Sequence, residues 1–70
     1  LDTSGIEFIV HRFDGYRVQL EVQYCKGLLS VVWYEATRDD DLLSHVRIEA
    51  GPYASREALI AAVDAVIRRA

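Results

Sequence analysis

Methionine is absent from the chain, cysteine, proline and tryptophan occur once each, and Lys26 is the only lysine. A single thiol, Cys25, closes the intramolecular disulfide route by which many small domains are stapled. It also suits a reducing compartment, so the expected location is the cytoplasm. No apolar run approaches the roughly 18 residues of a spanning helix and no signal-peptide pattern is visible, so no membrane association is expected. Because the chain contains no methionine, Leu1 is not expected to be a translation start. The sequence is therefore expected to be a piece of a longer chain or to lack N-terminal residues.

The signatures of chemistry are missing as well. No cysteines and histidines stand at zinc-ligand spacing, and the run Asp39-Asp40-Asp41 lacks the alternating acids, glycine and distal glutamate of an EF-hand. The glycines are isolated, so no phosphate-cradling loop opens a helix. Ser44 adjoins His45, but neighbouring residues on a strand point to opposite faces, and Cys25 beside Lys26 has no base within reach. No catalytic residue, no metal and no cofactor is expected, and the chain is read as a non-enzyme.

What is present is an ordinary globular composition, with 51% hydrophobic and 27% charged residues. Eleven acids against eight bases give a formal charge of −3 without a block of either sign. This balance does not favour attachment to a phosphate backbone, which draws on clustered bases. Seven of the eight basic residues are arginine, an excess that reads first as genomic base composition. A chain this short buries only about 60% of its unfolded surface, enough for one core. The expectation is a single small α+β domain over residues 1–70, with 1–5 as a loose lead-in.

Tyr16, Val18, Leu20, Val22 and Tyr24 alternate with Arg17, Gln19, Glu21 and Gln23, the pattern of a half-buried strand. Ile6 to Arg12 and Leu28 to Thr37 are rich in β-formers but apolar on both phases, and Leu42 to Ala50 alternates again. Four strands with short connections predict a four-stranded antiparallel β-meander. Gly51-Pro52 then ends the last strand and Ser55 is placed to cap a helix. Leu59, Ala62, Val63, Val66, Ile67 and Ala70, with Ile60 at the margin, form its apolar stripe. One C-terminal α-helix packed on one sheet face completes the plan.

Opposed residues of an antiparallel pair share a face, so the loops set which residues lie inside. Asp14-Gly15 as a two-residue turn places Glu7, Ile9 and His11 beside the apolar set of the second strand. Three-residue loops at 13–15, 25–27 and 39–41 instead oppose Arg12 to Tyr16 and pair apolar with apolar at the core positions, and this register is the one preferred. It predicts inner rows of Ile6, Val22, Ser30 and Ala50, of Phe8, Leu20, Val32 and Ile48, and of Val10, Val18, Tyr34 and Val46, with Leu20 the most constrained. It predicts outer rows of Ile9, Gln19, Trp33 and Arg47, of Glu7, Glu21, Val31 and Glu49, and of His11, Arg17, Glu35 and His45.

A tryptophan beside Ile9 and Val31, ringed by Gln19 and Arg47, has the composition of a binding patch. The expected interface is therefore Ile9, Gln19, Val31, Trp33 and Arg47, serving a homo-oligomer or a protein partner. The alternative is single-stranded nucleic acid, since the order of elements is similar to that of Whirly and Pur domains. The glutamates of the same face oppose phosphate, and nucleic acid is not the expected partner.

Overall fold

The computed structural model describes residues 4–70; the first three residues of the expected lead-in lie outside the described residues, and Gly5 already belongs to a strand. Strands β1 (Gly5–Phe13), β2 (Tyr16–Cys25), β3 (Leu28–Arg38) and β4 (Asp41–Leu42) form one antiparallel sheet in the order β1-β2-β3-β4. Helix α1 (Arg56–Arg68) follows. This is the α+β arrangement that the alternating and helical periodicities predict.

The loops differ from the expected ones. Phe13 pairs with Tyr16, Cys25 with Leu28 and Arg38 with Asp41, so each connection is a two-residue turn. Both turn residues have positive φ in every case: 49° and 80° at Asp14-Gly15, 53° and 80° at Lys26-Gly27, 49° and 70° at Asp39-Asp40. These are type I′ turns, whose twist matches that of the flanking strands. The first slip of one residue turns β1 over, because side chains alternate with a period of two. Val18 therefore opposes His11 and Ala36 in place of Val10 and Tyr34.

A second departure lies in β3. Glu21 pairs with Trp33 but Val22 pairs with Val31, which leaves Val32 without a partner in a β-bulge. Leu29 and Val31 point inward before the bulge, Ala36 points inward after it, and Val32 and Trp33 are both exposed. The bulge adds a second shift of one residue to the one made at Lys26-Gly27, and two shifts restore the face expected for the residues beyond it. Trp33 consequently faces outward, as its place between Val32 and Tyr34 predicts, while Val32 leaves the expected core.

The long fourth strand expected over Leu42 to Ala50 contracts to two residues. Leu43 N–H donates to Ala36 O (2.9 Å), Val31 N–H to Ala50 O (2.8 Å), and Leu29 and Tyr53 exchange bonds of 2.9 and 2.7 Å. From Leu43 to Ala50 the chain takes seven steps while β3 takes five from Ala36 to Val31, so a one-to-one ladder cannot be kept. Side chains satisfy carbonyls that the ladder leaves: Tyr34 Oη donates to Val46 O (3.2 Å), and Arg47 donates to Ser44 O (3.0 Å).

The core joins Ile9, Val18, Leu20, Val22, Leu29, Val31 and Ala36 of the sheet to Val46, Ile48 and the helical Leu59, Val63 and Ile67. Leu20, 1% exposed, is central as expected, but its opposed neighbours are Ile9 and Tyr34 and not Phe8 and Val32. Ile6, Phe8 and Val10, expected inside, are exposed on the other face because the two-residue turn inverts β1. Ser55 caps α1, its Oγ accepting from Ala58 N–H (3.1 Å), with Glu57 in the first turn and Arg68 in the last, as the helix dipole prefers. Of the expected stripe, Leu59, Val63 and Ile67 are buried, Ile60, Ala62 and Val66 are half-buried, and Ala70 is exposed.

Candidate interaction surface

Turning β1 over changes which side chains the outer sheet face carries. Ile6, Phe8 and Val10 project from β1, Gln19, Glu21 and Gln23 from β2, and Leu28, Val32, Trp33 and Glu35 from β3. Phe8 opposes Glu21, which opposes Trp33, so two aromatic rings flank one carboxylate across three adjacent strands. Phe8 is 71% exposed and Trp33 46%. With Ile6, Val10 and Val32 beside them, they leave large apolar side chains on one face of the sheet.

Of the five residues expected to form an interface, the structure brings Trp33 and Arg47 to one shallow concavity, lined also by Leu42, Leu43 and Ser44. Gln19 lies on the same face, half-buried between Val10 and Glu35. Ile9 and Val31 do not belong to it: at 3% and 7% exposure they are core residues, because the turn at Asp14-Gly15 and the pairing of Val31 with Val22 put both inside. Ile6, Phe8, Val10 and Val32 take their place. The Asp14-Gly15 dipeptide was the available signal, since Asp-Gly between β-rich runs favours a two-residue type I′ turn.

The expected outer rows of glutamates and histidines also dissolve. Glu7 lies on the inner side, accepting from Tyr24 Oη (2.5 Å) and from the Arg56 guanidinium. The Tyr24 hydroxyl, assisted by Arg56 and opposed by partial desolvation, holds the Glu7 carboxyl below its usual range, while the same bond pushes the Tyr24 phenol up. His11 is also inward, its Nε2–H donating to Asp64 Oδ1 (2.7 Å), and the Arg68 guanidinium lies 4.8 Å from the centre of the Phe13 ring. Helix α1 thus runs alongside β1 in the same direction, with Arg56 level with Glu7, Asp64 with His11, and Arg68 with Phe13.

β1 is also an edge strand. Backbone groups in an antiparallel strand alternate between its two neighbours. Ala36 O bonds toward β4, so Glu35 and Thr37 bond toward β2, and their partners Gln19 and Arg17 face β3. Val18 and Leu20 then face β1 and engage His11 and Ile9. The N–H and C=O groups of Ile6, Phe8, Val10 and Arg12 are left pointing away from the sheet. Among the described residues, no turn, loop or cap backbone hydrogen bond reaches that edge.

Among the described residues no group of three or more His, Cys, Asp or Glu side chains gathers to hold a metal, and no helix is long and apolar enough to cross a membrane. Compared with protein-family models, curated proteins and solved structures, the chain matches none.

Proposed function

We propose that this chain is a non-enzymatic interaction module that acts by self-association, using the outer sheet face around Phe8 and Trp33 together with the adjoining edge of β1. The observation that carries this reading is the coincidence of two features on Ile6, Phe8 and Val10. Their side chains are exposed and apolar, and their backbone groups form an open edge. Edge strands are ordinarily guarded by lysine, proline, bulges or short length. The nine residues of β1 contain no lysine and no proline, and pair with β2 without a shift in register.

A protein surface suits this face better than nucleic acid does. Glu21 separates the two aromatic rings and Glu35 lies beside Trp33 in the sheet, whereas strand-stacking surfaces set their aromatics in a basic groove. The formal charge of −3 adds to the mismatch. The exposed free thiol of Cys25 fits a reducing compartment, and the proposed location is the cytoplasm.

Light scattering across a concentration series tests the reading. A Phe8→Ser, Trp33→Ala double variant is expected to keep its circular dichroism, because both side chains stand outside the core, and to associate more weakly than the parent chain. A parent chain that stays at 7.9 kDa from micromolar to millimolar concentration refutes self-association.

A further inference from the structure

We infer that the partner is a second copy of this chain, joined edge to edge, with β1 pairing antiparallel to β1 of the copy across a two-fold axis at Ile9. The inference rests on the self-association reading and specifies its geometry.

The edge restricts the register first. Only Ile6, Phe8, Val10 and Arg12 offer free backbone groups, so each must oppose another member of that set. Axes at Phe8, Ile9 and Val10 all set outward-facing residues of the strand against one another, but an axis at Phe8 leaves Arg12 opposite Ser4 and one at Val10 leaves Ile6 opposite Asp14, both outside β1. Only the axis at Ile9 pairs the whole strand, Gly5 with Phe13 at either end. On the outer face it sets Phe8 against Val10 of the copy, continuing the apolar surface through the junction.

Charge selects the same axis. Because α1 runs with β1, the two-fold at Ile9 brings Glu7 level with His11 of the copy, and Arg56 level with Asp64 of the copy. Each relation occurs twice by symmetry, as in any isologous contact. Between Arg56 and Asp64 the flank of α1 is concave and lined by Glu57, Ile60 and Ala61. Half-buried Ile60 lies midway between the two charged residues, one helical turn from each, where the flanks of two copies converge. An axis at Val10 instead sets Arg56 level with Arg68 of the copy, like charge to like. An axis at Phe8 sets Glu7 against the apolar Ile9.

Sedimentation of the intact chain and of four variants, Val10→Pro, Arg56→Glu, Asp64→Arg and Trp33→Ala, tests the pairing. Val10 N–H faces away from β2, so Val10→Pro removes an edge donor without removing a bond of the sheet. The parent is expected at twice 7.9 kDa, and Val10→Pro at 7.9 kDa with unchanged circular dichroism. Arg56→Glu and Asp64→Arg each place two like-charge pairs in a homodimer and are expected to weaken it about tenfold or more. Their equimolar mixture restores opposite charges at both places and is expected to recover dimer at near-parental affinity. This recovery is a gain that misfolding of a single variant cannot imitate.

A parent that is monomeric throughout overturns the inference together with the reading beneath it. A dimer that survives Val10→Pro but is lost in Trp33→Ala overturns the edge pairing alone and assigns association to the outer face. Failure of the mixture to exceed either variant overturns the Ile9 axis, including in the case where Val10→Pro does not fold.

Discussion

Glu7 and Tyr24 stabilise each other through one short hydrogen bond, and its pH dependence has a defined sign. The carboxylate is held below its ordinary value of 4.5, so its contribution is full above that value and is lost as pH falls through the lower folded one. The phenol is raised above 10.0, so its contribution is full below that value and is lost as pH rises through the higher folded one. Tyr24→Phe is therefore expected to lower the melting temperature most on the plateau between the two titrations. The difference from the parent should shrink at either end, and a difference independent of pH would remove the bond from the stability of the fold. The pair was not legible in the sequence. Glu7 reads as a solvated acid of the outer face until the first turn is known to hold two residues.

Elements were legible where one signal spoke alone. The unbroken alternation of β2 and the stripe and cap of α1 specify both elements and the faces they bury. β1 and β3 are apolar on both phases, for different physical reasons. β1 combines Ile9, buried inside, with Ile6, Phe8 and Val10 on the outer face. β3 changes phase at Val32, so one apolar run serves the core twice. Matching the largest number of apolar pairs favours Ile6, Phe8 and Val10 inside and Ile9 outside, the reverse of what the two-residue turn imposes. Turn chemistry was the better guide. Gly15 has φ of +80°, and a Cβ there would lie 2.9 Å from the mobile carboxylate of Asp39, so backbone conformation sets most of the cost. Gly15→Ala is expected to destabilise by about 1–2 kcal/mol, read as a lower urea midpoint. An unchanged midpoint would contradict the type I′ turn, and with it the face assignment of β1.

At the scale of the whole molecule, the order of strands and helix follows from the sequence, whereas the surface depends on a slip of one residue. Trp33 was placed outward because two departures together restore its face, the short turn at Lys26-Gly27 and the bulge at Val32. Phe8 was placed inward because nothing compensates the turn at Asp14-Gly15. The result is a sheet closed along β3 by the chain from Leu43 to Tyr53 and open along β1, with Phe8 exposed on the open strand and Trp33 exposed on β3, two strands away on the same face. Amide hydrogen exchange at individual residues, measured in dilute and concentrated solution, tests the central claim most directly. Ile9 and His11, bonded to β2, should be protected at both concentrations. Phe8 and Val10 should exchange freely when dilute and become protected when concentrated, as a second copy of β1 closes the edge. Phe8 and Val10 amides that exchange equally fast at every concentration would contradict it.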